Sequence, residues 1–169
     1  MMRSWAVFDS PVQNALHTLK YRGNISLGDS LALNMVDFVH SLGWKIDIVI
    51  PAPLGKKRLQ ERGYNQVDLV ARPLAHELGW EYAPQALWKM RETRSQVGLN
   101  ISQRSENVRN VYQADPAKVK RKSILVMDDV STTGSTISSG TEALLSAGAQ
   151  EVYALTIARA LSHHDLNRV

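Results

Sequence analysis

The chain of 169 residues contains no cysteine. Disulfide bonds, thiolate metal sites and cysteine nucleophiles are therefore excluded, and a reducing cytoplasm is the simplest expected location. No run of apolar residues approaches the length of about 18 that a membrane-spanning helix needs. The first residues also lack the apolar core and small-residue cleavage site of a secretory leader, so we expect neither a membrane anchor nor export.

Two widespread phosphate-binding fingerprints are missing as well. The sequence has no G-x-x-x-x-G-K-[ST] loop and no G-x-G-x-x-G turn, which argues against a P-loop nucleotidase and a dinucleotide-binding domain. The five histidines are scattered, and only His163 and His164 are adjacent. A histidine metal site is therefore not expected.

What is present is typical of a single globular domain with basic segments. Apolar residues make up 44% of the chain and charged residues 21%, and the length suits one domain, residues 1–169. The net charge of +4 is unevenly distributed, because Lys and Arg concentrate in segments 56–62, 89–110 and 118–122. Such segments favour an anionic ligand, which could be phosphate, pyrophosphate or nucleic acid; solvated loops are the alternative.

The hydrophobic pattern predicts strands that alternate with helices. Predicted helices cover 11–20 with Ser10 as its cap, 27–42, 65–78 with a kink or break at Pro73, and the segment after the turn at 131–136 up to Gly148. Predicted strands cover 46–51, 86–89, 123–129 and 151–158, and a long arginine-rich loop covers 91–110. This alternation is typical of an α/β protein with a parallel sheet, in which ligands bind at the carboxyl ends of the strands.

The most informative segment is V-M-D-D-V-S-T-T-G-S-T at 126–136. Asp128 and Asp129 come at the end of the best predicted strand, where two adjacent carboxylates need hydroxyl donors or a cation to offset their repulsion. A turn rich in hydroxyl groups follows and leads into a helix, whose free N–H groups can hold a phosphate; it consists of Ser131, Thr132, Thr133, Gly134, Ser135 and Thr136. An acidic pair beside a phosphate cradle fits a 5-phosphorylated ribose.

This segment resembles the 5-phosphoribosyl-1-pyrophosphate (PRPP) binding motif of type I phosphoribosyltransferases. Three further segments are similar to the ComF branch, which includes competence proteins and GntX-like proteins: P-A-P-L-G-K-K-R at 51–58, R-G-Y-N-Q at 62–66 and T-R-S-Q-V-G-L-N-I-S-Q-R-S-E-N-V at 93–108. The resemblance covers about residues 10–160. Many members of that branch carry a cysteine-rich zinc ribbon, for which this cysteine-free chain has no counterpart.

The resemblance implies a type I phosphoribosyltransferase fold, with a mostly parallel central sheet flanked by helices and a small N-terminal hood. The hood is expected at about 1–25, the core at about 26–160 and a tail at 161–169. The hood would select the acceptor, and 91–110 would be a mobile loop that closes over PRPP.

The resemblance also implies roles for individual residues. Asp128 and Asp129 would hold the ribose hydroxyls and, through them or through water, Mg²⁺. Residues 131–136 would hold the 5-phosphate, and Lys56, Lys57 and Arg58 the pyrophosphate. Arg94 and Arg104 would contact pyrophosphate or the base, and Tyr64, Asn65 and Gln66 either contact the acceptor or cap the helix that begins near residue 65.

The implied activity is transfer of the 5-phosphoribosyl group from PRPP to a nitrogen acceptor, with Mg²⁺ as cofactor. Three alternatives stay open: a PRPP or nucleotide sensor without catalysis, a regulator that binds nucleic acid, and a helper protein in DNA uptake. The expected partners are PRPP, an acceptor that the sequence does not identify, a nucleic acid under the regulatory alternative and a second copy of the chain; no membrane partner is expected.

Overall fold

A five-stranded parallel sheet forms the centre of the protein. The structure, a computed structural model, describes residues 1–90 and 111–160. In this part of the chain the strands are β1 (Met2–Val7), β2 (Ile48–Pro51), β3 (Glu81–Tyr82), β4 (Leu87–Lys89), β5 (Tyr112–Ala114), β6 (Ser123–Ser131) and β7 (Glu151–Arg159). The central sheet has the order β1-β7-β6-β2-β3, and each neighbouring pair is parallel. The predicted α/β class with a parallel sheet is therefore confirmed.

Helices cover both faces of this sheet. They are α1 (Ser10–Arg22), α2 (Ile25–Ser41), α3 (Lys56–Arg62), α4 (Asp68–Glu77), α5 (Pro116–Val119) and α6 (Ser135–Ser146). Helices α1, α2 and α4 contribute to a core on one face, whereas α6 packs with β4 and β5 on the other. Among the described residues, no helix combines the length and apolar character needed to cross a membrane.

Strands β2 and β6 contribute side chains to the core on both faces of the sheet, because alternate side chains of a strand point to opposite faces. In β6, Ile124 and Val126 belong to the core beside α6, whereas Leu125 and Met127 belong to the core beside α1, α2 and α4. This alternation explains why 124–127 is a continuous apolar run. It also determines where the two acids that follow the run point.

The N-cap residue of helix α1 lies one position earlier than predicted. The side chain of Asp9, rather than that of Ser10, accepts a hydrogen bond from the backbone N–H of Val12 at 3.2 Å. Ser10 is the first helical residue and Gly23 ends the helix with φ of 57°, as its position after the last turn predicts. Asp and Ser are both favourable N-cap residues, so residue type alone does not show whether Asp9 or Ser10 is the cap.

A kink or a break was predicted at Pro73, and the break is wrong because the helix continues past this residue. Helix α4 begins at Asp68, later than predicted, and continues through Pro73 to Glu77. Proline has no N–H to donate to the carbonyl of residue 69. That Leu69 carbonyl lies against Gly28 of α2, where a Cβ atom would come within 2.3 Å of the oxygen. Gly28 therefore allows α2 to pack closely against the turn of α4 in which the Leu69 carbonyl receives no hydrogen bond from residue 73.

The strand predicted at 86–89 is present but does not join the parallel sheet. Residues Leu87–Lys89 pair antiparallel with Tyr112–Ala114 in a separate two-stranded sheet. The edges of the main sheet are instead β3 and β1, and neither was predicted as a strand. Strand β1 lies within the segment 1–25 expected to form a hood; the role of that segment in acceptor selection stays a prediction.

Candidate functional site

The carboxyl ends of three neighbouring strands form one edge of the sheet. The register pairs Pro51 of β2 with Met127 of β6, and the N–H of Ala52 donates to the Met127 carbonyl at 2.7 Å. On the other side of β6, Ser131 lies beside Arg159 of β7. The loop at 52–55, the acidic pair and the hydroxyl-rich turn are therefore adjacent, as the sequence predicts for a ligand site at this edge.

The two acids at the end of β6 have different surroundings. Asp129 continues the alternate positions that face α1 and α4, and its carboxylate contacts residues from that layer. Asp128 continues the positions that face β5, where it interacts electrostatically with Tyr112. The two side chains thus begin on opposite faces of the sheet, yet their carboxyl groups are close enough to interact with each other.

Three donors hold the carboxylate of Asp129. Lys20 Nζ lies 2.6 Å from Oδ2, Gln66 Nε2 donates to the same oxygen at 3.0 Å, and the N–H of Val130 donates to Oδ1 at 2.7 Å. The residue is only 8% exposed. Burial by itself would raise the pKa of Asp129, but the positive charge of Lys20 and these hydrogen bonds outweigh it and lower the pKa below its ordinary value. Asp129 is therefore an ionised carboxylate at neutral pH.

Asp128 is less well stabilised as an anion. Its Oδ1 accepts a hydrogen bond from the N–H of Asp129 at 2.8 Å, and the side chain is half-buried. Burial and the neighbouring negative charge of Asp129 raise the pKa of Asp128 to about 7. Burial, together with the charge of Asp128, likewise raises the pKa of the Tyr112 phenol to about 12, although Arg58 opposes this. Asp128 therefore lacks a cationic partner as close as the one that Asp129 has.

The hydroxyl-rich turn leads into α6 as predicted. Ser131 is buried at the end of β6, Thr132 and Thr133 are exposed, and Gly134 adopts a left-handed conformation with φ of 73°. The hydroxyl groups of Thr133 and Ser135 are 2.7 Å apart. Helices α1 and α2 are capped by the side chains of Asp9 and Asn24, but no side chain caps α6. Its first N–H groups are thus available to an anion.

A cleft of about 890 Å³ adjoins this turn. Residues of β1, of the turn at 131–134, of α6 and of β7 line it. The N-terminal strand therefore forms one wall of the space beside the candidate phosphate cradle. This segment was expected to contribute to a hood, but its folding as a strand of the central sheet was not predicted.

The basic residues predicted to bind pyrophosphate lie on a helix rather than in a loop. Lys56, Lys57 and Arg58 form the first turn of α3, directly after the loop at 52–55, and all three are exposed. Lys57 also lies 4.0 Å from Glu61 on the next turn. Of the three, Arg58 interacts electrostatically with Tyr112 and so lies on the Asp128 side of the site.

The side chains of the R-G-Y-N-Q segment are occupied by internal contacts. Tyr64 Oη donates to the Leu19 carbonyl at 2.6 Å, and Asn65 Nδ2 donates to the Ala52 carbonyl at 3.0 Å. Asn65 Oδ1 accepts from the N–H of Val67 at 3.2 Å, so Asn65 stabilises the turn before α4 rather than capping a helix that begins at residue 65. Gln66 joins Asp129, and the Arg62 guanidinium donates to Gln66 Oε1.

Several predicted site residues lie outside the described residues. These are Arg94, Arg104 and the proposed closing loop at 91–110. Conversely, the sequence analysis missed Lys20 and Tyr112. The basic end of α1 was the only signal for Lys20, since a lysine in the last turn of a helix is usual without any partner. Tyr112 follows a long polar segment, and no sequence pattern indicated that it lies near the acidic pair.

Comparisons with known proteins show the family of the chain and its relatives. The family described as "Phosphoribosyl transferase domain" matches residues 69–167. The DNA utilization protein YhgH of Salmonella typhimurium is 31% identical over 159 residues, which span 91% of this chain and 70% of that protein. Competence protein F of Haemophilus influenzae is 31% identical over 116 residues, 68% of this chain and 51% of that protein.

The fold is similar to that of a solved enzyme. Adenine phosphoribosyltransferase from Thermoanaerobacter pseudethanolicus superposes with a TM-score of 0.52 at 14% identity, over 81% of this chain and 83% of the enzyme. At this identity the likeness concerns the fold alone.

Proposed function

The chain belongs to the phosphoribosyl transferase domain family, as a member of its ComF type, and on that premise we propose that it binds PRPP at the edge of the sheet formed by β2, β6 and β7. The acidic pair would bind the ribose hydroxyls, and residues 131–136 would bind the 5-phosphate. One observation carries the proposal: an acidic pair and a helix start without a side-chain cap follow the same strand. No dinucleotide or P-loop fingerprint competes for this site.

We further propose that the bound PRPP donates its phosphoribosyl group to a nitrogen acceptor. The bond between C1 of the ribose and the pyrophosphate oxygen breaks, the leaving pyrophosphate keeps the electron pair, and a C1–N bond forms on the opposite face of the sugar. Basic side chains must stabilise the charge of the leaving group. Lys56, Lys57 and Arg58 follow the loop at 52–55 and are proposed for this task, as are Arg94 and Arg104.

Mg²⁺ fits the site as an ion shared with the ligand. Among residues 1–90 and 111–160, no group of three or more carboxylate or histidine side chains is placed to hold a metal by itself. Oδ2 of Asp129 already receives two donors, whereas Asp128 receives one backbone N–H on Oδ1, so Asp128 together with ribose and pyrophosphate oxygens is the proposed donor set for Mg²⁺. When bound, the ion would neutralise pyrophosphate charge.

A second candidate function follows from the names of the relatives. They are called DNA utilization protein and competence protein, which supports a role connected with DNA in which PRPP serves as a signal. The exposed basic first turn of α3 would suit a nucleic-acid backbone as well as pyrophosphate. Steep salt dependence of DNA binding, together with a shift in DNA affinity when PRPP is added, would favour regulation over catalysis.

Calorimetry with PRPP in the presence and absence of Mg²⁺ tests the binding site. The Asp128→Asn, Asp129→Asn double variant is expected to lose about 3 kcal/mol or more of PRPP binding, because each carboxylate hydrogen bond contributes roughly 1.5–3 kcal/mol. Asp37→Asn on the exposed side of α2 is the matched control and should bind like wild type. No heat from wild type with PRPP or ribose 5-phosphate at millimolar concentration would overturn the proposal.

Catalysis is tested separately by pyrophosphate release. Wild-type protein with PRPP and Mg²⁺ is offered a panel of nucleobases and amines, and released pyrophosphate is measured for each. Release that depends on one class of acceptor supports the transferase. Binding of PRPP without release for any acceptor favours the sensor.

A further inference from the structure

The polar contacts of Asp129 connect it to two segments outside the PRPP motif. Lys20 comes from the last turn of α1, and Gln66 comes from the segment before α4. Both donate to the same oxygen, Oδ2, while the backbone N–H of Val130 occupies Oδ1. Three donors of known position fix both the location and the rotation of this carboxylate.

The Gln66 amide is itself held at both ends. Its Nε2 donates to Asp129, and its Oε1 accepts a hydrogen bond from the Arg62 guanidinium. A flipped amide would place like groups opposite each other at both contacts, so one orientation is strongly favoured. Gln66 is only 4% exposed, and the arrangement is therefore protected from competition by water.

The end of α1 is attached to the same segment at two further points. The Arg62 guanidinium lies 5.6 Å from the centre of the Tyr21 ring, and Tyr64 Oη donates to the carbonyl of Leu19. Leu19, Lys20 and Tyr21 thus each contact either residues 62–66 or Asp129. These contacts leave the Lys20 ammonium little freedom to leave its carboxylate partner.

We propose that Lys20 and Gln66 are positioning residues that hold the Asp129 carboxylate in the orientation that accepts a ribose hydroxyl. The proposal rests on the proposed function and deepens it, since it extends the ribose site to α1 and to the R-G-Y-N-Q segment. Neither residue needs to touch the ligand. A carboxylate whose rotation is already fixed loses less conformational freedom when the sugar binds.

The rival interpretation makes Lys20 an occupant of the sugar site. In that case the ammonium group would block Oδ2 of Asp129 and would have to leave before a ribose hydroxyl could bind. The two interpretations predict opposite effects when the ammonium group is removed. Removal weakens ribose binding if Lys20 positions Asp129, and strengthens it if Lys20 competes with the sugar.

The test compares ribose 5-phosphate with 2-deoxyribose 5-phosphate and 3-deoxyribose 5-phosphate, each of which lacks one hydroxyl group. Calorimetry on wild type, Lys20→Met and Gln66→Met gives the ratio of affinities for ribose 5-phosphate over each deoxy sugar. Wild type should prefer the full ribose by roughly tenfold or more for the hydroxyl that Asp129 binds. In both variants that ratio should fall towards one, with the affinity for the corresponding deoxy sugar nearly unchanged.

Two controls separate positioning from general damage. Lys20→Arg keeps a cation at the same place and should restore most of the preference, whereas Lys45→Met, at an exposed lysine before β2, should bind like wild type. Thermal melting of every variant checks that the chain is folded. A variant that melts lower but keeps the wild-type preference would show a purely structural role and overturn the proposal.

The remaining outcomes are also decisive. Tighter binding of ribose 5-phosphate by Lys20→Met would overturn positioning in favour of competition. Wild-type binding with an unchanged preference in both methionine variants would overturn the positioning role and leave the PRPP site intact. Failure of wild type to bind any of the sugars would overturn the proposed function itself.

Discussion

Replacing Gly28 with alanine should destabilise the protein through the contact between α2 and α4. An added Cβ atom would lie 2.3 Å from the Leu69 carbonyl oxygen and 2.9 Å from its carbonyl carbon. Both are backbone atoms, which no side-chain rotation can move away. Helix α4 would have to shift by about 1 Å to restore ordinary van der Waals contact.

The size of the effect follows from two opposing contributions. Overpacking a close contact costs about 1–3 kcal/mol, and a clash with backbone belongs at the upper end of that range. Alanine in a helix recovers up to about 1 kcal/mol relative to glycine. We therefore expect a net loss of about 2 kcal/mol in the free energy of unfolding, which is a fall in Tm of about 4–8 °C for a chain of this size.

Gly140 in α6 provides the matched comparison. It is also buried within a helix, but a Cβ atom there would meet only the Cδ2 atom of Leu87 at 3.3 Å, the end of a flexible side chain. Gly140→Ala should therefore leave Tm unchanged or raise it slightly. Thermal melting followed by circular dichroism measures both variants, and equal melting of Gly28→Ala and wild type, or equal losses in the two variants, would refute the reasoning.

Two further predictions concern the site. Because the pKa of Asp128 is raised to about 7, its carboxylate becomes protonated as the pH falls through neutrality, so PRPP affinity should decrease from pH 8 to pH 6. Calorimetric titration across this range should show a weaker pH dependence of PRPP affinity for Asp128→Asn than for wild type. The same pH dependence in both proteins would contradict the assignment. Arg94→Ala should lower the rate of pyrophosphate release at least about tenfold, roughly 1.4 kcal/mol of barrier, while changing PRPP affinity less. Equal losses in rate and in affinity would indicate that Arg94 acts in the binding of PRPP rather than in the transition state.

The sequence was most informative where a local pattern determines the structure. The strand at 123–129, the acidic pair and the glycine turn before α6 are contiguous, so spacing alone predicts their arrangement. The continuous apolar run in that strand likewise predicts a core on both faces of the sheet, because both faces of a central parallel strand are buried. These predictions required no knowledge of distant parts of the chain.

Contacts between residues that are far apart in the sequence were harder to predict. Strand β1 has side chains that are mostly half-buried or exposed, so its pattern does not distinguish it from a loop. The short strand β4 was predicted correctly as a strand but placed in the wrong sheet, since three residues cannot specify their partner. The contact between Lys20 and Asp129 joins residues that no periodicity relates, and the tolerance of Pro73 depends on a glycine in another helix.

The pairing of β1 with β7 has a consequence for biosynthesis. Ser4 and Thr156, whose hydroxyl groups are 2.7 Å apart, are separated by 152 positions along the chain. A ribosome must therefore translate nearly all of the described residues before β1 can find its neighbour, and closing so large a loop delays the last step of sheet assembly. During that interval β6, the strand that bears both acids, has an unpaired edge that β7 later covers. Completion of the candidate ligand-binding edge thus depends on β7, the last strand of the described residues to emerge, and the nascent chain exposes a pairing-competent edge to its neighbours until then.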